Sequence, residues 1–446
     1  MQWLRPSATL ASLIFLLGSC SLAPEEGTQV TALEGATVFD GTGAEPVENA
    51  VLIIKGETVT AVGKSGEVQI PEGAIRVDAS GKFIIPGLIN AHGHVGSATG
   101  LSSSPSSYSE ENIAAQLERY LTYGVTAVLS LGSDRPLIYE LQARQQKGNL
   151  PGARVYTAGR GLGLKGGYGP GEVSRKVETP ADVLPHMEEL AAEKPDATKI
   201  WVDDSFGTLP KMNPEIYRAF VRAAKEKGLK SFAHVYYLED SRGLVEAGVD
   251  VLAHSIRDQE VDDAFVALAR ERGVCLLPTL ARELSTFVYA DRPEFLDDPF
   301  FTKYEDPDVV TTLKSDEYVQ QAQSAANLSR YRANLVMAQK NLKKLHEGGV
   351  KIGFATDTGP PGRIQGFFEH VELELMVEAG LTPAEALKAA TSASAECLGD
   401  ENLGALTPGR QADFIVLDAD PLTYIKNTRR ITSVWQRGVR VRGPIL

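Results

Sequence analysis

Short apolar runs and turns alternate near both ends of this chain, whereas its middle alternates apolar runs with helix-period patterns. Near the N-terminus the β-type runs fall at residues 31–39, 50–54, 58–62 and 74–77. The same character returns at 413–417, 431–434 and 439–441. Two β-rich ends around a different middle predict one small discontinuous β-sandwich built from residues 31–86 and 404–446. In the middle, strand-like runs occur at 82–90, 125–131, 154–158, 198–202, 231–235, 249–254, 274–280 and 351–356. Helical patterns at 110–123, 213–227 and 258–272 lie between them. This βα alternation predicts an α/β chain with a (β/α)8 TIM barrel over residues 87–403. A doubly wound sheet would give similar local patterns and is the second architecture. Residues 284–316, rich in Pro, Asp and aromatics, break the rhythm as an insertion of the kind that forms lids.

The first 19 residues fall outside this scheme. Arg5 gives a short positive region, and the apolar stretch 10–17 is too brief to span a bilayer. Leu17-Gly-Ser-Cys20 resembles the lipobox of bacterial lipoproteins, which implies lipidation of Cys20, a tether over 20–30 and membrane attachment in the cell envelope. Ser21 after the cysteine favours the outer membrane, facing the periplasm. Of the other cysteines, Cys275 lies in an apolar run and is expected to pack as a small hydrophobe, and with Cys397 it is too little for a disulfide framework. A net charge of −13 argues against nucleic acid as a partner.

The candidate chemistry sits at strand ends, where barrel enzymes place their sites. Asn90-Ala-His92-Gly-His94 closes the first run, and histidines two apart on a strand point the same way, so both can grip one cation. Lys199 lies inside the apolar run Thr198-Lys-Ile-Trp-Val202, where an ammonium must be paired, exposed at the barrel end or chemically modified. Ser231-Phe-Ala-His234 and Val251-Leu-Ala-His254 end on histidine, and Phe354-Ala-Thr-Asp357 ends on a carboxylate. Singly, each reads as a hydrogen-bonded core residue. Together, at successive strand ends, they read as a ligand set.

The order His92-x-His94, Lys199, His234, His254, Asp357 resembles the metal-dependent amidohydrolase superfamily, most closely its imidazolonepropionase-like branch with prolidase-type dipeptidases. Gly87-Leu-Ile-Asn-Ala-His-Gly-His94, the segments 378–387 and 390–391, and Gly409-Arg-Gln-Ala-Asp-Phe-Ile-Val-Leu417 extend the likeness over nearly all of 31–446. The resemblance implies two divalent metal ions. His92, His94 and Asp357 would hold one, His234 and His254 the other, and Lys199, carbamylated by carbon dioxide, would bridge them. Zn2+ suits this donor set best. Such a pair would acidify a shared water and polarise the scissile carbonyl, with Asp357 shuttling the proton and Tyr236 holding the carbonyl oxygen.

Other features change the picture less. Gly161-x-Gly163-x-x-Gly166 matches a dinucleotide fingerprint but runs into Gly-Tyr-Gly-Pro-Gly instead of a helix, so it reads as a loop bordering the pocket. Arg363 and His370 are substrate-contact candidates, an exposed loop arginine and a packed helix residue being their plainer readings. His186 and His346 lie in charged helical surroundings and read as surface residues. The expected activity is hydrolysis of an amide in a small peptide or N-acyl amino acid. The alternatives are a cyclic-amide or ester hydrolase on the same site, and a catalytically inactive ligand-binding lipoprotein. The oligomeric state stays open, a homo-oligomer included.

Overall fold

A computed structural model describes residues 29–443. The leader, Cys20 and most of the expected tether lie outside the described residues. Among those residues, no helix is long and apolar enough to cross a membrane.

Eight strands, named here in chain order, form the barrel: β1 (Leu88–Gly93), β2 (Val125–Ser130), β3 (Arg154–Thr157), β4 (Ala197–Trp201), β5 (Lys230–His234), β6 (Val251–Ala253), β7 (Cys275–Leu277) and β8 (Lys351–Ile352). Ladders are parallel throughout: β1–β2–β3 on one arc and β4 to β8 on the other. The ring closes where the chain beyond β8 returns to β1, with Ala91 N donating to Phe354 O at 3.0 Å and Asp357 N to His92 O at 2.7 Å. Strands buried on both faces read as continuous apolar runs, as these do. Helices Glu110–Thr122, Pro214–Glu226 and Asp263–Arg272 begin on caps from Ser109, Asn213 and Asp262, whose side chains take orphan backbone N–H groups.

Both chain ends contribute to one eight-stranded sheet beside the barrel. Phe83–Pro86 is its seam, pairing in parallel with Val30–Val38 and antiparallel with Phe414–Leu417. Its next residues run straight into β1, so the small domain anchors the strand that carries His92 and His94.

Two local expectations are corrected, and the insertion is given its structure. The glycine-rich stretch after β3 is not only loop: Leu162–Leu164 and Arg175–Val177 pair in parallel, and Leu162 joins β4 at Ile200. The insertion is largely helical, running through Leu280–Ser285, Pro307–Lys314 and Asp316–Gln323 into Leu328–Glu347. Proline there sits at helix starts, where its missing N–H costs nothing. Cys275 does not merely pack: it forms a disulfide with Cys397, Cα atoms 6.0 Å apart, tying β7 to helix Ser394–Leu398.

Candidate metal centre

Six groups of metal-binding type converge at the C-terminal mouth of the barrel. One nitrogen of His92, one of His94 and one Asp357 oxygen lie within 4.8 Å of one another. The imidazoles form a continuous chain: His94 to His92 at 5.3 Å between ring centres, His92 to His254 at 4.8 Å, and His254 to His234 at 4.4 Å. All but the edge of His94 are buried.

Three of the four rings are held at a nitrogen by a neighbour outside the cluster. Ser133 Oγ meets His94 Nδ1 at 2.8 Å, Thr279 Oγ1 meets His254 Nδ1 at 2.8 Å, and Asp203 Oδ2 meets His234 Nε2 at 2.8 Å. Such partners fix the ring and leave the opposite nitrogen inward. His92 Nδ1 has no hydrogen-bond partner among the described residues. Burial holds His92 and His254 well below the usual imidazole range and takes His234 down to about 4, so the lone pairs stay free at neutral pH.

Lys199 is fully buried in β4, and its Nζ has no hydrogen-bond partner among the described residues. Burial lowers its pKa to about 7, against the opposing pull of Asp357. Gly132, at φ +91°, makes room for it: a Cβ there would stand 2.7 Å from Lys199 Cγ. Asp357 divides its two oxygens. Oδ1 faces His94 at 2.9 Å and His92 at 3.4 Å, while Oδ2 faces Arg363 at 2.6 Å and Arg282 at 3.6 Å. Burial would raise this carboxyl, but Arg363 and the two histidines outweigh it and keep it ionised. Backbone at the strand ends is unusual, with φ +78° at His254, +49° at Thr279 and +56° at Asp357. Non-glycine residues in this region persist where surrounding structure holds them.

Supporting groups come from helices behind the strands. Glu369 Oε1 accepts from Asn90 Nδ2, Thr356 Oγ1 and Thr358 Oγ1 at 2.7, 2.7 and 2.8 Å, and Asn90 Oδ1 accepts from His92 N at 3.0 Å. Glu372 accepts Leu280 N and Ala281 N at 2.9 and 2.5 Å, fixing the turn that begins at Thr279. A second buried carboxylate, Glu283, takes Arg282 at 2.5 Å and Arg257 at 3.0 Å.

The two expected substrate contacts lie in different surroundings. His370 lies inside helix Phe367–Glu378, fully buried, bonded to Tyr123 O at 2.8 Å and Thr428 Oγ1 at 3.0 Å. It packs beneath the insertion against Phe300, 4.9 Å between rings, and is not among the converging groups. Arg363 is not a free loop cation, because Asp357 holds it. Tyr236 lies beyond β5 with its hydroxyl donating to Asn334 Oδ1 at 3.1 Å, on the insertion's last helix. Sequence reasoning missed Asp203, Thr279, Arg282 and Glu283. Asp203 stands just past the apolar run of β4, which was a usable signal. The others lie in or beside the insertion, where periodicity gives no register.

The sequence pattern of the amidohydrolase family matches residues 83–441. The chain belongs to the amidohydrolase family. Similar curated proteins include the ochratoxinase of Aspergillus niger, 26% identical over 95% of this chain and 89% of that one. The imidazolonepropionase of Streptomyces avermitilis is 25% identical over 91% and 90%. Among solved structures, a Xaa-Pro dipeptidase with bound methionine superposes at a TM-score of 0.74 and 21% identity, covering 93% of this chain and all of that one. That likeness is one of fold: a TIM barrel with an added domain. As a member of the amidohydrolase family, the chain is a hydrolase, and the family is typically metal-dependent. The donor set here fits that dependence: burial keeps His92, His234 and His254 neutral, and His92 Nδ1 and Lys199 Nζ have no hydrogen-bond partner among the described residues.

Proposed function

We propose that this amidohydrolase cleaves the amide bond of a small peptide or N-acyl amino acid with two divalent cations, Zn2+ by preference. The observation that carries the reading is the convergence of His92, His94, Lys199, His234, His254 and Asp357 in one buried cluster. His92, His94 and Asp357 would hold one cation, His234 and His254 the other. Lys199 would join them as a carbamate, which turns a costly buried amine into an anionic oxygen donor. When bound, the cations supply Lewis acidity, acidifying water and polarising the scissile carbonyl.

The chain's own residues do the rest. Ser133, Thr279 and Asp203 keep the histidine rings oriented. Asp357 takes the attacking water's proton on a carboxylate oxygen and returns it to the departing nitrogen. Tyr236 serves the carbonyl oxygen once substrate draws its hydroxyl from Asn334. Cys20 holds the enzyme to the envelope through lipid, facing the periplasm. The test is hydrolysis of a dipeptide and N-acyl amino-acid library by zinc-loaded protein. The reading expects free amino acid released from several members and abolished by a chelator. Turnover confined to cyclic amides or esters would favour the alternative chemistry, and absence of turnover across all classes would contradict the enzyme reading.

A further inference from the structure

Guanidinium groups crowd a partly open edge of the strand-end cluster. Most of the converging side chains are closed to solvent, but His94 is 14% exposed, Arg282 12% and Arg363 20%. Both arginines reach the same oxygen of Asp357, at 2.6 and 3.6 Å. Behind them Arg257, 3% exposed, is pinned by its Nη1 to Val235 O at 2.9 Å and Ser255 O at 2.7 Å. Glu283 lies between Arg257 and Arg282 and cannot neutralise both. Asp203, the next carboxylate within reach of Arg257, is committed to His234. Three guanidiniums therefore share Glu283 and Asp357, and Asp357 is the group the catalytic reading assigns to a cation. Once its charge is so engaged, Arg282 and Arg363 are left with less anion than they need, and buried or half-buried cations are costly without one.

We propose that Arg282 and Arg363, backed by Arg257 through Glu283, form an anion subsite that takes the free α-carboxylate of the substrate's leaving amino acid. The inference rests on the amide-hydrolase reading of the same site. Placement sets the chemistry. Both guanidiniums lie beside the proton-carrying carboxylate, so the anion they hold stands only a few bonds from the scissile nitrogen. A carboxylate on the adjacent carbon meets that distance, and an arginine fork matches its two oxygens. The enzyme then acts on acylated amino acids and on the last bond of short peptides, and discriminates against amidated or esterified C-termini.

Binding tests this without turnover. N-Methylsulfonyl derivatives of leucine, phenylalanine and proline have no scissile carbonyl, and each can be made as the free acid and as the primary amide. Their affinities for the zinc-loaded protein are measured by calorimetry, with metal content and thermal midpoint checked for every variant. Wild type should bind at least one acid roughly tenfold or more tighter than its amide, from the strength of charge-assisted hydrogen bonds. Arg282→Met should lose most of that ratio, and Arg282→Lys should keep part of it. Equal affinity for acid and amide, binding of no acid at all, or equal losses for both forms in Arg282→Met would each overturn the subsite. Acid preference in a protein that hydrolyses no amide would leave the subsite standing and remove the hydrolase reading.

Discussion

Lys199 shows how much of this site depends on single residues. A lysine in the middle of a closed barrel strand is accommodated beside Gly132, which has no side chain to collide with it, and its Nζ has no hydrogen-bond partner among the described residues. Glu369 is the matching case among carboxyls. It is fully buried, its Oε1 takes three donors, and burial pushes its pKa up to about 7 from 4.5. A carboxyl raised on folding contributes stability that is present below about pH 4.5 and lost as pH rises through about 7. Glu369→Gln keeps the acceptor oxygen and removes the ionisation. Chemical denaturation from pH 5 to 8 should therefore show the variant gaining on wild type, by up to about 3 kcal/mol at the top of the range. A constant difference across that range would contradict the buried, proton-bearing carboxyl. At this scale the sequence was legible where a polar residue interrupts an apolar run: His92, His94, Lys199, His234, His254 and Asp357 stood out on that ground. Arg282, Glu283 and Thr279 did not, because they follow β7 in the insertion, where charged residues are the norm and only the fold says which are buried.

Elements decide which of these residues meet. The eight barrel runs were readable from apolar length and spacing, since a parallel strand covered on both faces must be apolar throughout. The short helices of the insertion were not, because they are capped by Asp, Ser and Pro that also signal loops. Its last helix, Leu328–Glu347, reaches Tyr236 through Asn334 and the chain after β6 through Asn341. If the Tyr236 hydroxyl serves the carbonyl during turnover, Tyr236→Phe should lower kcat by roughly a hundredfold to a thousandfold. Asn334→Ala should leave kcat close to wild type. Equal, small effects in both variants would make the pair a latch for the insertion instead. The bond between Cys275 and Cys397 spans 122 residues and needed the fold to be seen, since two cysteines that far apart carry no spacing signal. Closing so long a loop restricts the unfolded chain, so replacing both cysteines by serine should lower stability by about 2–4 kcal/mol in denaturant titrations. An unchanged midpoint under non-reducing conditions would mean the bond does not form.

The whole molecule joins a barrel to a sheet made from both chain ends, and that sheet feeds directly into β1 with its two histidines. The disulfide between β7 and helix Ser394–Leu398 suits an oxidising compartment, in keeping with the lipid-anchored envelope enzyme proposed from Cys20. Fractionation of the native host should place the protein with the membranes, and Cys20→Ala should move it out of them. Wild-type protein in the soluble periplasmic fraction would refute the anchor. The strand-end cluster is proposed to hold two cations through Lys199. Elemental analysis of purified protein, after equilibration with zinc and removal of the excess, tests it most directly. Two zinc ions per chain are expected in wild type, with loss of most of them in Lys199→Ala and partial recovery when a small carboxylic acid is supplied. Folded wild-type protein that retains no metal, or Lys199→Ala that keeps two, would contradict it.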